Sequence, residues 1–238
     1  MKLDILAFAA HPDDVELSCG GTIIKQVKLG YKVGVVDLTQ GELGSRGTAE
    51  TRKIEATNSS KILGLSVREN LKMADGFFEI SQENKLKIVQ IIRKYQPKVV
   101  FANSINDRHP DHGRASKLVS EACFLAGLAK IITTENGLTQ KAYRPEVIYH
   151  YIQDYYIKPD FIVDVSDFID LKIESVKAYK TQFFDPNSLE PPTPISGEDF
   201  FEFLKARSRE FGRLIQREFG EGFTVEKPLE IKDVMQSV

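Results

Sequence analysis

The sequence predicts an α/β fold with a mostly parallel central sheet and helices on both of its faces. Two observations predict this fold. Apolar runs of strand length alternate with longer segments of helical spacing through the first half of the 238-residue chain. Glycines follow two of the helical segments, as is typical of helix ends. The resulting β-α-β-α-β-α-β-α order is typical of a parallel sheet, because strand–helix–strand units place successive strands side by side.

The elements of the first half follow these two patterns in turn. Leu3 to Ala10 is an apolar run that predicts a strand, and Asp14 to Leu29 has the spacing of a helix that stops at Gly30. The other predicted elements of this half are strands at Tyr31 to Thr39, Val67 to Met73 and Lys98 to Asn103, helices at Thr48 to Leu63, Gln82 to Tyr95 and Arg114 to Ile132, and loops at Gln40 to Gly47 and Asn106 to Gly113.

The second half is less regular. The segment 185–196 holds four prolines in twelve residues and predicts an exposed, flexible loop. No composition shift marks a linker, so we expect one domain over residues 1–238. The predicted elements are strands at Glu146 to Ile152, Phe161 to Val165 and Phe223 to Ile231, a helix at Asp167 to Gln182 with Asp167 as its N-cap, and a charged helix at Asp199 to Phe219.

Composition excludes several classes of partner. The 34 acidic and 32 basic side chains give a net charge of −2, which offers no general attraction for nucleic acid or an anionic membrane. Asp4 places a charge where a signal peptide needs apolar residues, and no uncharged stretch reaches the roughly 20 residues of a membrane helix. Two cysteines are too few for a disulfide scaffold. We therefore expect a cytoplasmic protein with no nucleic-acid or membrane partner.

Three of the four histidines lie in two short loops that follow predicted strands. His11 comes directly after the first strand, and His109 and His112 follow the strand that ends at Asn103. Because the carboxyl ends of parallel strands meet at one edge of a sheet, the two loops are expected to lie side by side. The fourth histidine, His150, lies in a strand-like segment, where we expect a core or edge role.

Residues of these loops predict a metal site. Two imidazoles, His11 and His112, with the carboxylate of Asp14 form a ligand set that suits a divalent ion, most commonly zinc. Three protein ligands leave a position open for water, and zinc lowers the pKa of a bound water to about 7. This is the pattern of a catalytic metal site, although a single aspartate at a strand–helix junction is often only a helix cap.

Three neighbouring side chains complete a hydrolytic site. Asp13 has no metal role in this ligand set, and a carboxylate beside a metal-bound water suits a general base. His109 is placed to polarise a carbonyl or to protonate a leaving amine, and Asp111 to orient His109 as an imidazolium. Taken singly, either histidine of this loop would more often be a surface or core residue than a functional one.

Arginines in the loops at the same edge predict contacts to a polar ligand. Arg46 and Arg52 follow the second strand, and Arg108 lies beside His109. A guanidinium donates hydrogen bonds in a fixed geometry that suits a carboxylate or sugar hydroxyls. The alternative for Arg46 and Arg52 is a surface salt bridge with a nearby glutamate.

The motifs in these loops resemble the LmbE/PIG-L family of zinc-dependent N-acetylglucosaminyl deacetylases. The family's first motif is AHPDD followed by a glutamate and a glycine pair, and its second is HPDH. Three longer segments resemble the bacillithiol-pathway subgroup, which deacetylates N-acetylglucosaminyl-malate. The matching residues are AHPDD at Ala10 to Asp14 with Glu16, Gly20 and Gly21, HPDHGRAS at His109 to Ser116, GELGSRGTAETR at Gly41 to Arg52, and AYKTQF at Ala178 to Phe183.

The resemblance implies a Rossmann-like, three-layer fold and one zinc ion per subunit, held by His11, Asp14 and His112. It implies that Asp13 is the general base, that His109 with Asp111 stabilises the oxyanion, and that Arg52 contacts the sugar. It further implies a homo-oligomer, a trimer or hexamer.

The function expected from these residues and the resemblance is hydrolysis of the N-acetyl group of N-acetylglucosaminyl-malate, giving glucosaminyl-malate and acetate. Another GlcNAc conjugate such as diacetylchitobiose remains open as substrate, as does a bacillithiol S-conjugate amidase activity. A sugar- or nucleotide-binding module that has lost catalysis is the alternative outside enzymes.

Overall fold

A computed structural model of the chain describes residues 1–231, 233 and 235. These residues form six α-helices and nine strands. Strands and helices alternate strictly in the first half, from β1 to α4, and their order is mixed in the second. The helices are α1 (Asp14–Lys28), α2 (Ala49–Leu63), α3 (Gln82–Tyr95), α4 (Pro110–Ala126), α5 (Ile169–Lys177) and α6 (Phe200–Leu214). The strands are β1 (Ile5–Ala9), β2 (Val33–Thr39), β3 (Val67–Met73), β4 (Val99–Ala102), β5 (Thr134–Glu135), β6 (Leu138–Thr139), β7 (Val147–Tyr151), β8 (Phe161–Asp164) and β9 (Gly220–Val225).

Seven strands form the central sheet, in the order β3-β2-β1-β4-β7-β9-β8. The five strands from β3 to β7 run parallel, and Ile5 at the start of β1 pairs with Val33 on one side and Val99 on the other. The last strand, β9, inserts antiparallel between β7 and β8. The predicted mostly parallel sheet is confirmed, and the antiparallel pairings are confined to the strands of the second half.

Helices cover both faces of the sheet, as expected for a parallel sheet whose strands are buried on both sides. On one face, α3 and α4 contribute Ile88, Val89 and Leu118 to a core that includes Leu6 and Phe8 of β1. On the other face, α1 packs on the sheet, and α5 contacts both α1 and α2. The fully buried β1 therefore lies between the two layers and carries the first histidine loop at its end.

The C-terminal strand supports an irregular turn inside α1. Cys19 departs from helical backbone angles, so the amides that follow it need other acceptors. The carboxylate of Glu221 in β9 accepts hydrogen bonds from the backbone N–H of Gly21 at 3.0 Å and of Thr22 at 2.6 Å. Lys172 donates to the same carboxylate at 2.7 Å, so this buried glutamate has a cationic partner.

Helix α4 begins four residues before the predicted Arg114 and ends at Ala126, not at Ile132. His109 is its N-cap, and its Nδ1 accepts a hydrogen bond from the backbone N–H of Asp111. Pro110 occupies the first turn, where a missing N–H costs nothing. The predicted loop at Asn106 to Gly113 therefore ends at His109, and its last residues lie in the first turn of the helix.

The predictions for the second half were less accurate. Asp167 lies in a 3-10 turn, Ser166–Phe168, and is not an N-cap; the helix after it ends at Lys177. The last helix ends at Leu214, five residues early, because the chain turns sharply there: a side chain at Gly212 would meet the backbone oxygens of Arg217 and Glu218 at 2.8 Å. The short hairpin of β5 and β6 was not predicted.

All five parallel strands end at the same edge of the sheet, and the loops that follow β1, β2, β3, β4 and β7 meet there. In the part of the chain that the structure describes, no helix is long and apolar enough to cross a membrane.

Candidate metal centre and active site

The loop after β1 places three functional side chains at the sheet edge. His11, Asp13 and Asp14 are all buried, and α1 begins at Asp14. Asp13 has a φ of 120°, a backbone conformation that non-glycine residues rarely adopt. A residue is held in such a conformation only when its surroundings fix it, and such residues concentrate at functional sites.

The three predicted metal ligands contact one another. His112 Nε2 lies 3.1 Å from Asp14 Oδ1, and His11 Nδ1 lies 3.6 Å from Asp14 Oδ2. Two amides hold the Asp14 carboxylate in place: Asn103 donates to Oδ2 at 3.0 Å and Gln153 donates to Oδ1 at 2.8 Å. Side chains from the loops after β1, β4 and β7 thus meet around one carboxylate.

The second nitrogen of each imidazole faces a carboxylate. His112 Nδ1 lies 2.7 Å from Asp107 Oδ2. His11 Nε2 lies 3.1 Å from Asp75 Oδ1 and 3.3 Å from Asp111 Oδ2. Metal-binding histidines typically donate their other N–H to such a partner, which fixes the ring and its tautomer. This arrangement leaves His11 Nδ1 and His112 Nε2 facing the two oxygens of the Asp14 carboxylate.

Among the described residues, two groups of side chains have ligand atoms within 4.8 Å of one another and could hold a metal ion. One consists of His11, His109 and His112, and the other of His11, Asp75 and Asp111, so the predicted ligand Asp14 belongs to neither. His11 belongs to both groups. The residues present therefore fit a divalent cation, with nitrogen and carboxylate donors of the kind that zinc takes.

The electrostatics of the cluster favour positive charge. Burial lowers the pKa of His112, but Asp14 and Asp107 outweigh burial and raise this pKa to about 9. Burial raises the pKa of Asp14, yet His112 and His11 together hold it well below its usual range. The carboxylates thus favour a positive charge at the histidine nitrogens, which either a proton or a bound metal cation can supply.

Asp13 is paired with Arg52. The Nη1 atom of Arg52 donates to Asp13 Oδ2 at 3.0 Å and to the carbonyl of Pro12 at 2.5 Å, and Nη2 donates to Gln182 Oε1 at 2.8 Å. Burial raises the pKa of Asp13 to about 7, and Arg52 opposes that shift. Asp13 is thus a buried carboxylate beside the candidate metal ligands, held by the guanidinium of Arg52.

His109 and Asp111 are not paired through their side chains, which differs from our expectation. The Asp111 carboxylate contacts His11, accepts from the backbone N–H of Gly76 and pairs with Arg114. The reason is helix geometry, since Nδ1 of the N-cap His109 is occupied by the Asp111 backbone N–H. Burial lowers the pKa of His109, as do the nearby His11 and His112. This ring is therefore held as a neutral imidazole, not as an imidazolium.

The three arginines occupy different positions. Arg52 and Arg108 line the cavity beside the histidines, whereas Arg46 does not. Arg46 is buried and donates to the carbonyl of Thr181 at 2.6 Å and to Ser188 Oγ at 2.7 Å. Arg108 is half-exposed and pairs with Asp154 at 2.7 Å. The structure thus gives Arg46 a role in joining two loops, and places only the other two arginines where a ligand can reach them.

A cavity of about 550 Å³ opens onto these residues, large enough for an amino sugar with a substituent. Its floor is polar, and its outer wall includes apolar side chains from three loops and from α6. The wall residues are Leu43, Phe77, Pro194, Ile195, Phe200, Phe203 and Leu204. The proline-rich loop at 185–196 therefore contributes to the cavity through its end.

Sequence reasoning missed several polar residues of the site. Asp75 and Gln153 follow β3 and β7, and Asn103 and Asp107 follow β4. Their position after parallel strands was a signal that could have identified them, since loops after such strands share the edge with His11. Gln182, by contrast, follows no strand and comes to the site from the segment after α5.

Comparison with known proteins identifies the family. The family model described as PIG-L, GlcNAc-PI de-N-acetylase, matches residues 6–123. A diacetylchitobiose deacetylase from Thermococcus kodakarensis is 30% identical over 191 residues, which cover 75% of this chain and 70% of that protein.

Two solved structures are similar over nearly the whole chain. A conserved protein from Thermus thermophilus superposes with a TM-score of 0.85 at 38% identity, covering 98% of both chains. The N,N'-diacetylchitobiose deacetylase from Pyrococcus horikoshii superposes with a TM-score of 0.79 at 26% identity, covering 98% of this chain and 88% of that one. Sequence and fold agree, and the chain belongs to the PIG-L/LmbE family of deacetylases.

Proposed function

We propose that this protein is a zinc-dependent hydrolase that removes the N-acetyl group from a GlcNAc conjugate. The observation that carries the proposal is the direction of the two imidazoles. Asp107 occupies one nitrogen of His112, and Asp75 and Asp111 occupy one nitrogen of His11. The remaining nitrogens, His11 Nδ1 and His112 Nε2, face the two oxygens of the Asp14 carboxylate, and all three residues line the cavity, as expected for a metal centre open on one side.

In this proposal, His11, Asp14 and His112 hold the ion. A divalent cation bound there supplies Lewis acidity for the acetamide carbonyl and makes water more acidic. His109, which also lies near His11 and His112, is the alternative third ligand. Metal content distinguishes the two sets, because Asp14→Asn should lose the ion whereas His109→Asn should keep it.

Asp13 transfers the proton, and His109 stabilises the charge that develops on the carbonyl oxygen. Asp13 lies at the cavity floor and takes a proton from the attacking water as the C–O bond forms. His109, as a neutral ring with one N–H, donates a hydrogen bond to the carbonyl oxygen while negative charge develops there. The C–N bond then breaks, Asp13 gives the proton that it took from water to the departing amine nitrogen, and the products are acetate and the free amino sugar.

For the conjugate itself we propose N-acetylglucosaminyl-malate. The three segments that resemble the bacillithiol subgroup support it, and Arg108 at the cavity rim is the side chain placed to meet the carboxylates of malate. Neutral conjugates such as diacetylchitobiose are the alternative, since two similar proteins are deacetylases of that sugar. A bacillithiol S-conjugate amidase would also use this site.

Acetate release from zinc-loaded protein tests the proposal. The substrates are GlcNAc-malate, GlcNAc and diacetylchitobiose, assayed for acetate, and a bacillithiol S-conjugate, assayed for the free amine that cleavage of its cysteinyl amide releases. We expect turnover of GlcNAc-malate at the highest kcat/KM, and none after chelation. Faster turnover of diacetylchitobiose would contradict the malate assignment alone. No acetate from any of the conjugates, with the metal bound, would contradict the deacetylase itself.

Three further expectations stay predictions. The chain is expected to be one domain over residues 1–238, to form a homo-oligomer and to act in the cytoplasm.

A further inference from the structure

Gln182 is buried at the cavity, and the proposed function assigns it no role. Its Nε2 donates to the backbone carbonyl of Arg46 at 2.6 Å. Since a carbonyl only accepts, this contact fixes which end of the amide is the nitrogen. Oε1 is therefore directed at Arg52, whose Nη2 donates to it at 2.8 Å. The side chain joins the loop after β2 to the arginine next to Asp13.

Arg52 transmits this contact to Asp13. A guanidinium is planar and rigid, so fixing Nη2 also fixes the direction in which Nη1 donates. Nη1 donates both to Asp13 Oδ2 and to the carbonyl of Pro12, the peptide that precedes the strained residue. Arg52 thus holds the Asp13 carboxylate and the unusual backbone at once.

The backbone of Gly41 limits the movement of the same guanidinium. A Cβ at this position would lie 3.2 Å from Arg52 Cζ, and Gly41 has a φ of 66°. The chain therefore passes close against one side of Arg52, and glycine permits that approach. Gln182 sets the direction of the guanidinium, while Gly41 limits its displacement.

We propose that Gln182 is a positioning residue for deacetylation: it orients Arg52, and Arg52 in turn orients the Asp13 carboxylate toward the attacking water. This inference rests on the proposed function, in which Asp13 is the general base. Without the Gln182 oxygen, the guanidinium keeps its hydrogen bonds through Nη1 but loses the acceptor of Nη2, and so one of the contacts that oppose its rotation. Asp13 is then less often aligned for proton transfer, while the wall of the cavity is unchanged. The substitution should therefore lower kcat and leave KM unchanged.

Two substitutions separate this role from a structural one. Gln182→Glu keeps an acceptor oxygen for Arg52 but loses the donor to the Arg46 carbonyl, whereas Gln182→Met loses both at similar size. We expect Gln182→Met to lower kcat about 10- to 100-fold, with KM within roughly threefold of wild type. Gln182→Glu should retain kcat within about threefold. Equal losses in both variants, or a loss confined to KM, would overturn the proposal.

Thr181→Val is the matched control. Thr181 hydrogen-bonds Glu55 and Gln182 through its hydroxyl, and neither of these bonds involves Arg52. This variant should lower Tm while kcat stays unchanged. A fall in kcat as large as that of Gln182→Met would show that loosening this segment is sufficient, and would overturn the role assigned to Gln182.

A second measurement does not depend on activity. The side-chain ¹⁵N signals of Arg52, recorded without substrate, report whether its guanidinium rotates. We expect restricted rotation in wild type and in Gln182→Glu, and fast rotation in Gln182→Met. Unchanged restriction in Gln182→Met would overturn the inference. If instead wild-type protein releases no acetate from any conjugate, the proposed function fails, while these signals still decide whether Gln182 holds Arg52.

Discussion

The histidine–aspartate cluster and the arginines lie at the same edge of the sheet, yet they use their polar atoms differently. In the cluster, carboxylates hold the outer nitrogens of His11 and His112, and the inner nitrogens face the Asp14 carboxylate. Two of the arginines donate their hydrogen bonds within the protein. Arg46 donates to two neighbouring loops, and Arg52 donates to Asp13, Pro12 and Gln182.

The difference shows how residue type and position together determine a role. Histidine has one nitrogen left when a carboxylate holds the other, so a supported histidine still offers a ligand atom. A buried guanidinium needs several acceptors to offset its desolvation, and Arg46 and Arg52 find most of theirs within the protein. The cluster therefore keeps atoms available to bind a ligand, whereas Arg46 and Arg52 use their donors to hold neighbouring parts of the protein in place.

Removing Asp14 from the cluster should have the largest effect. Asp14→Asn withdraws the negative charge between His11 and His112, so we expect loss of the bound ion and of detectable acetate release. Metal content by mass spectrometry and an acetate assay check this result. Chelation of the wild type followed by added zinc is the control, and it should abolish and then restore activity. Full metal content in Asp14→Asn would rule out Asp14 as a ligand.

Asp13→Asn should separate proton transfer from metal binding within the same loop. An amide keeps the shape of the side chain and accepts from Arg52, but it does not take a proton at neutral pH. We expect kcat to fall about 10²- to 10⁴-fold. Metal content should stay that of wild type. A protein that loses its ion on this substitution would indicate that Asp13 is a ligand, and the division of roles between Asp13 and Asp14 would be wrong.

Arg46→Met should test whether a buried arginine at this edge serves stability. The variant loses hydrogen bonds to the Thr181 carbonyl and to Ser188, each with a charged donor. We expect a destabilisation of about 2–4 kcal/mol by denaturant unfolding. The KM for GlcNAc conjugates should be unaffected, because Arg46 does not line the cavity. A raised KM with unchanged stability would restore Arg46 as a substrate contact.

Arg108→Ala should have the smallest effect and should depend on the substrate. Arg108 is half-exposed, so its attraction for a carboxylate is weakened by solvent. We expect KM to rise about two- to fivefold for GlcNAc-malate at low ionic strength, and not at all for diacetylchitobiose. Equal changes for both substrates would mean that Arg108 does not recognise the acidic group.

The sequence predicted the first half of the fold well because its patterns there are local. Each strand from β1 to β4 is recognisable as an apolar run or by the polar loop that follows it. The ends of α2 are marked by the capping residues Thr48 and Gly64. The insertion of β9 between β7 and β8 was not predictable in this way, because it depends on pairing between residues 56 to 76 positions apart.

The same distinction between local patterns and distant contacts separates the site residues that were predicted from those that were missed. His11, Asp14 and His112 were identified because both loops follow strands and carry ligand residue types in short motifs. Asp75 was not predicted as a site residue, because the strand before it, β3, is polar and because Asp75 is not part of a motif with other ligand residues. Gln182 lies in the AYKTQF segment, but no sequence pattern indicated a role for it, because that role depends on contacts with Arg46 and Arg52 from a distant loop and helix.

The late position of β9 has a consequence for how the protein is made. Among the strands that the structure describes, β8 pairs only with β9, and the amides of Gly21 and Thr22 find their acceptor in Glu221. The helix that begins at the candidate ligand Asp14 therefore stays incompletely supported until β9 has left the ribosome. We expect the candidate ligands to reach their final arrangement only after this strand has emerged, so that the order of translation places any metal binding after completion of the sheet.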